Sequence, residues 1–137
     1  MQIEFLETGS IDCPLIRLYG VEARHFSLLY RAISALGTGA EESCTVDEIR
    51  GFRTVSGCKL NLISTSTDEG VQCRGRDCEF EWKLRSVQWL TVAGLIEPFA
   101  HEDKSCRHQW LAGKHARHGL DRSDISVLLS CSTDGRW

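Results

Sequence analysis

From Cys78 the chain alternates strictly. Cys78, Phe80, Trp82 and Leu84 take one parity, and Glu79, Glu81, Lys83 and Arg85 take the other. A period of two with charge on one side predicts an antiparallel strand half-buried against a core. At about Ser86 the period changes. Trp89, Val92, Ala93, Leu95, Ile96 and Phe99 gather on one arc of a helical wheel. That predicts an amphipathic helix over 86–99, with Pro98 limiting its end. One strand and one helix, joined almost directly, thus hold two of the four tryptophans.

The same reading extends along the chain. Ile3 and Phe5 alternate with polar neighbours, and Ile16 and Leu18 alternate with Arg17 and Tyr19. With the turn residues Thr8, Gly9, Ser10 and Asp12 between them, these stretches predict a hairpin. Val21 to Leu36 has helical spacing, with Val21, Leu28, Leu29, Ala32, Ile33 and Leu36 on one arc and Gly37 and Gly39 as stop signals. His25 lies on that apolar arc, where a histidine is more often a satisfied core residue than a ligand. Residues 44–49 predict a short strand or a single helical turn. Lys59 to Thr65 predicts a strand with Cys58, Leu60 and Leu62 facing the core. Turns at Thr67–Gly70 and Arg74–Asp77 then lead through Val71–Cys73 into Cys78, a meander. Asp124 to Cys131 alternates again, with Ile125, Val127, Leu129 and Cys131 on one side. Trp137 is expected to pack back onto the domain.

The predicted fold class is α+β: a mostly antiparallel sheet of five to seven strands with two helices, 21–37 and 86–99, packed on one face. Residues 1–137 form one compact domain, since no repeat or linker interrupts them. An uncovered sheet face or edge would invite a homodimer.

Composition narrows the function classes. Hydrophobic content of 42% and charged content of 26% are those of an ordinary globular domain. The net charge of −3 disfavours nucleic-acid binding over the whole surface. The first residues lack an export signal, and no stretch is apolar enough to span a membrane. A cytoplasmic location and reduced thiols are therefore expected for the seven cysteines. Cys58, Cys73, Cys78 and Cys131 fall on core parities, where a thiol acts as a small hydrophobe. If 74–77 is a four-residue hairpin loop, Cys73 and Cys78 face each other as a feasible redox pair.

Candidate chemistry concentrates late in the chain. His101, Cys106, His108, His115 and His118 supply ligand types suited to zinc, but their spacing fits no standard site, so neither metal nor cofactor is assigned. Lys104, Arg107, Lys114, Arg117 and Arg122 stand against Glu102, Asp103 and Asp121 and make the same stretch basic, with acidic Glu41, Glu42, Asp47 and Glu48 as a counterweight elsewhere. Trp110 lies within it, and His108 to Leu111 reads as a short apolar insertion from a loop. No nucleophile elbow, phosphate loop or dinucleotide fingerprint is present, so an enzyme is disfavoured. The expectation is a non-catalytic interaction module that contacts a protein, or an anionic ligand, through 101–122. Its binding residues would be Arg107, His108, Trp110, Lys114, His115, Arg117 and His118. The alternative is a metal- or thiol-dependent protein using the His/Cys run 101–118.

Overall fold

Strand β7 (Glu79–Leu84) and helix α2 (Ser86–Ala100) are separated by Arg85 alone. Phe80, Trp82 and Leu84 are buried, as the alternation predicts, and so are Trp89, Val92, Ala93, Ile96 and Phe99. The Trp82 and Trp89 rings meet edge to face with centroids 4.9 Å apart, a favoured aromatic geometry. The Trp89 indole N–H donates to the Ile63 carbonyl at 3.2 Å. The Trp82 N–H is buried with no acceptor among the described residues. The structure is a computed structural model, and it describes residues 1–75, 78–101, 108–113 and 125–133.

β7 is an inner strand of a four-stranded sheet in the order β3-β5-β7-β6, where β3 is Ser43–Thr45, β5 Lys59–Ser64 and β6 Gly70–Cys73. The expected meander is corrected here. β5 runs parallel to β7, with Leu60 opposite Phe80 and Leu62 opposite Trp82, and β6 lies on the far side of β7. The link from β5 to β6 crosses the end of β7 and is pinned there. Thr65 N–H donates to Leu84 O at 2.9 Å, while the backbone N–H and guanidinium of Arg85 bond Asp68 at 2.9 and 3.0 Å. The turn chemistry of Thr67–Gly70 was legible, but the side of β7 on which the chain lands was not. Glu81 also departs from its open-face expectation. It is buried beneath Arg74 and Lys83, with which it pairs. The hydrogen bond from Arg74 holds its carboxyl below the usual range.

The second sheet has five strands in the order β4-β1-β2-β9-β8: β1 is Gln2–Leu6, β2 Leu15–Gly20, β4 Arg53–Thr54, β8 His108–Ala112 and β9 Ser126–Cys131. β1 and β2 form the expected hairpin, with Ile3 opposite Leu18 and Phe5 opposite Ile16. β2 and β9 are parallel, as are β1 and β4. The fold is thus α+β with two mixed sheets, in place of one mostly antiparallel sheet. Period-two patterning selects the face a residue takes; it does not select the neighbouring strand. β9 illustrates the difference. It lies between β2 and β8, and Ser126 to Ser130 are all buried, so no open parity remains. Cys131, read as a core position, is exposed at the strand's end, and Cys73 is exposed on edge strand β6.

Helix α1 spans Ala23–Thr38. Val21 lies before it and is 57% exposed, outside the core arc assigned to it. The stop at Gly39 is as expected, with φ at 82° and its N–H on Leu36 O. Gly37 serves a different end. A Cβ there would lie 2.5 Å from Leu90 Cδ2, so its bare backbone lets α2 pack close. Pro98 sits inside the last turn of α2, which continues to Ala100. Residues 43–48 contain both expected forms, β3 and then a single 3-10 turn at Val46–Glu48.

One core joins these parts. Ile3, Ile16 and Leu18 from one sheet, Leu60, Leu62, Phe80 and Trp82 from the other, and Phe26, Leu29, Ile33, Trp89 and Ile96 from the helices belong to it. Phe5 and Phe80 bridge the sheets at 4.6 Å, and Phe26 and Phe99 bridge the helices at 5.2 Å.

Trp82→Ala is expected to cost about 3–5 kcal/mol as a core truncation. Lys83→Ala should cost under about 1 kcal/mol. Coincident urea melts of the two variants would overturn the strand's parity. Trp89→Phe should cost about 1 kcal/mol more than Trp82→Phe in the same melts. The first gives up the bond to Ile63, and the second removes an N–H that has no acceptor among the described residues.

Candidate functional site

The expected insertion at His108–Leu111 is a strand. β8 forms the edge of the five-stranded sheet, antiparallel to β9, with His108 opposite Ser130 and Trp110 opposite Leu128. Its pattern is irregular because the register shifts between Trp110 and Ala112, a bulge that puts both Leu111 and Ala112 into buried positions. Gly113 follows with φ at 92°, and a Cβ there would strike the Ser126 side chain. The long-range pairing with β9 makes this segment a strand; neither its sequence nor its burial alternates.

Of the seven residues expected to bind, the structure describes two. His108 is exposed and Trp110 is half-buried. Arg107, Lys114, His115, Arg117 and His118 lie outside the described residues, as does Cys106. His101 is exposed just beyond the last residue of α2, with Nε2 3.8 Å from a Glu97 carboxylate oxygen four residues earlier. Among the described residues, no three histidine, cysteine or acidic side chains come together as a metal site.

The strand registers do bring His108 and Trp110 into line with residues that carried no functional expectation. Trp110, Leu128, Arg17 and Glu4 form one row across β8, β9, β2 and β1. His108, Ser130, Tyr19 and Gln2 form the next. Arg17 donates through Nε and Nη2 to Glu4 Oε2 at 2.9 and 2.6 Å, and Tyr19 OH reaches the same oxygen at 3.4 Å. The guanidinium carbon lies 5.0 Å from the centre of the Tyr19 ring, within range for a cation–π contact. The signal available in the sequence was slight: Arg17 and Tyr19 share the non-core parity of β2.

Beside these rows, at the ends of β2 and β9, is a cavity of about 210 Å³ lined by Met1, Tyr19, Glu22, His25, Ser132 and Thr133, among others. His25 is held by its surroundings. The Met1 ammonium lies 3.2 Å from its Nδ1 and donates to Gly51 O at 2.9 Å. The Phe52 ring meets it edge-on at 6.0 Å. Gly51 has φ at 87°, and a Cβ there would lie 2.4 Å from His25 Nε2. Burial first, then the ammonium and Arg24, push the His25 pKa below its ordinary value, against the pull of Glu22.

The thiols also stand differently from expectation. The register places Cys73 opposite Phe80, so Cys73 and Cys78 are not cross-strand partners, and both are free. Acidic Asp47 has a structural use, accepting the Leu60 N–H at 3.3 Å.

Comparison with known proteins finds no matching family model, no matching curated protein and no matching solved structure. The geometry therefore stands by itself. It offers an edge strand, an aromatic side chain and a guanidinium–carboxylate–phenol group, with no nucleophile–base pair among the contacts described above.

The His25 shift has a signed consequence. The unfolded chain protonates His25 near pH 6.5, while the folded chain resists, so its stabilising contribution is whole above pH 6.5 and is lost as pH falls toward the folded value. The urea midpoint should therefore fall between about pH 7 and pH 5. In His25→Gln the fall should be shallower. Identical pH profiles for the two proteins would remove His25 as the cause.

Proposed function

We propose that this chain is a small non-catalytic binding module of a reducing cytoplasm, which takes an acidic polypeptide segment at the basic stretch 101–122. One coincidence carries the reading. Strand β8 lies in the stretch 101–122, which holds five lysines and arginines and four histidines against three carboxylates, in a chain of net charge −3. Local positive charge selects for acidic partners and speeds encounter. Trp110 supplies an aromatic side chain of the type that anchors interfaces, and Arg17 lies two strands away in the same row. The contact residues in this reading are Arg107, His108, Trp110, Lys114, His115, Arg117 and His118.

Binding of a fluorescently labelled glutamate-rich peptide, followed by anisotropy, tests it. The triple reversal Arg107→Glu, Lys114→Glu, Arg117→Glu should weaken binding by about tenfold or more. Affinity should also drop as salt rises from about 50 to about 500 mM. Unchanged affinity in the triple variant would refute the reading. A melting temperature that fell on adding EDTA would instead establish the His/Cys run as a metal site, because metal-binding energy contributes to folding.

A further inference from the structure

Cys58 and Cys78 immediately precede Lys59 and Glu79, which face each other in the parallel β5–β7 pair. The two strands are already tied at this level, since Lys59 N–H donates to Cys78 O at 2.9 Å. Both cysteines share the parity of Leu60 and Phe80, which are buried on the core side. Cys58 belongs to the core and Cys78 packs against it. Opposed positions on neighbouring strands lie about 4.7–4.9 Å apart in the hydrogen-bonding direction, and disulfides span Cα separations of about 4.4–6.8 Å. Cys78 also leaves the strand conformation, with φ at 50°.

We infer that Cys58 and Cys78 are a latent disulfide pair, closed by a small two-electron thiol oxidant such as a low-molecular-weight disulfide. Access sets the order of events. Cys78 is half-buried and Cys58 is buried, so the Cys78 thiolate attacks the small disulfide first. One S–S bond breaks, one small thiol leaves, and a mixed disulfide forms on Cys78. The Cys58 sulfur then displaces the second small thiol. Two protein thiols have lost two protons and two electrons, and the oxidant has become two thiols. The product ties the start of β5 to the start of β7 and encloses β6 in a covalent loop. Burial, together with the neighbouring Cys78, pushes the Cys58 thiol up to about 12. The closing step is therefore slow at neutral pH and should speed about tenfold per pH unit, because the thiolate is the attacking species.

The full chain is incubated with oxidised glutathione at about pH 8, a basic value that favours the thiolate, then alkylated and digested with trypsin without reduction. The expected product joins residues 54–59, which carry Cys58, to residues 77–83, which carry Cys78; Cys73 falls on a separate peptide. The oxidised protein should melt several degrees above the reduced one. Cys73→Ser should leave the linked peptide intact, and Cys78→Ser, at the more accessible of the two thiols, should abolish it. Recovery of Cys78 joined to Cys73, a stable glutathione adduct on Cys78 with Cys58 still a thiol, or no reaction at all would each overturn the inference.

Discussion

The edge-to-face contact between Trp82 and Trp89 is the constraint from which the rest of this structure follows. With Arg85 alone between β7 and α2, the helix can bury its first turns only by folding back against the face of its own strand. That sets Trp89 against β7 and lets its indole N–H reach the Ile63 carbonyl of β5. α1 packs against α2 where Gly37 admits Leu90, and the Phe26–Phe99 contact closes the helix pair. Phe5 against Phe80 then brings the five-stranded sheet onto the same core. Each of these rings buries a large area, and their mutual geometry adds direction to an otherwise non-directional driving force. The core is therefore shared by two sheets and two helices, and no part of it belongs to one layer alone.

The position of the last described strand decides which distant segments become neighbours in the five-stranded sheet. β9 enters between β2 and β8, parallel to one and antiparallel to the other, and is buried on both parities. Its insertion leaves β8 outermost among the described strands and aligns Trp110 with Arg17 and Glu4, residues about a hundred positions earlier.

The cysteines show how far alternation carries. Parity assigned Cys58, Cys73, Cys78 and Cys131 to the core, and it holds for Cys58. It fails at Cys73 and Cys131 because both sit at strand ends, where the side chain has passed the covering layer. Parity also says nothing about which thiols become neighbours. The choice of Cys58 over Cys73 as the partner of Cys78 follows from β5 lying beside β7, a pairing set by the crossing link that Asp68 pins to Arg85.

The sequence by itself determined the elements whose pattern is long and local: the β1–β2 hairpin, both helices, the buried parity of Phe80, Trp82 and Leu84, and the stop at Gly39. It also marked 101–122 as a basic stretch, because charge is additive along a chain. Only the tertiary structure decided that the strands divide into two mixed sheets, that β8 is a strand at all, and that Glu81 is buried under Arg74. The physical reason is the same in each case. Periodicity records which face of a segment avoids water, a property of the segment alone. Strand neighbours, edges and buried ion pairs depend on how distant segments compete for the same core, and no local pattern encodes the outcome of that competition.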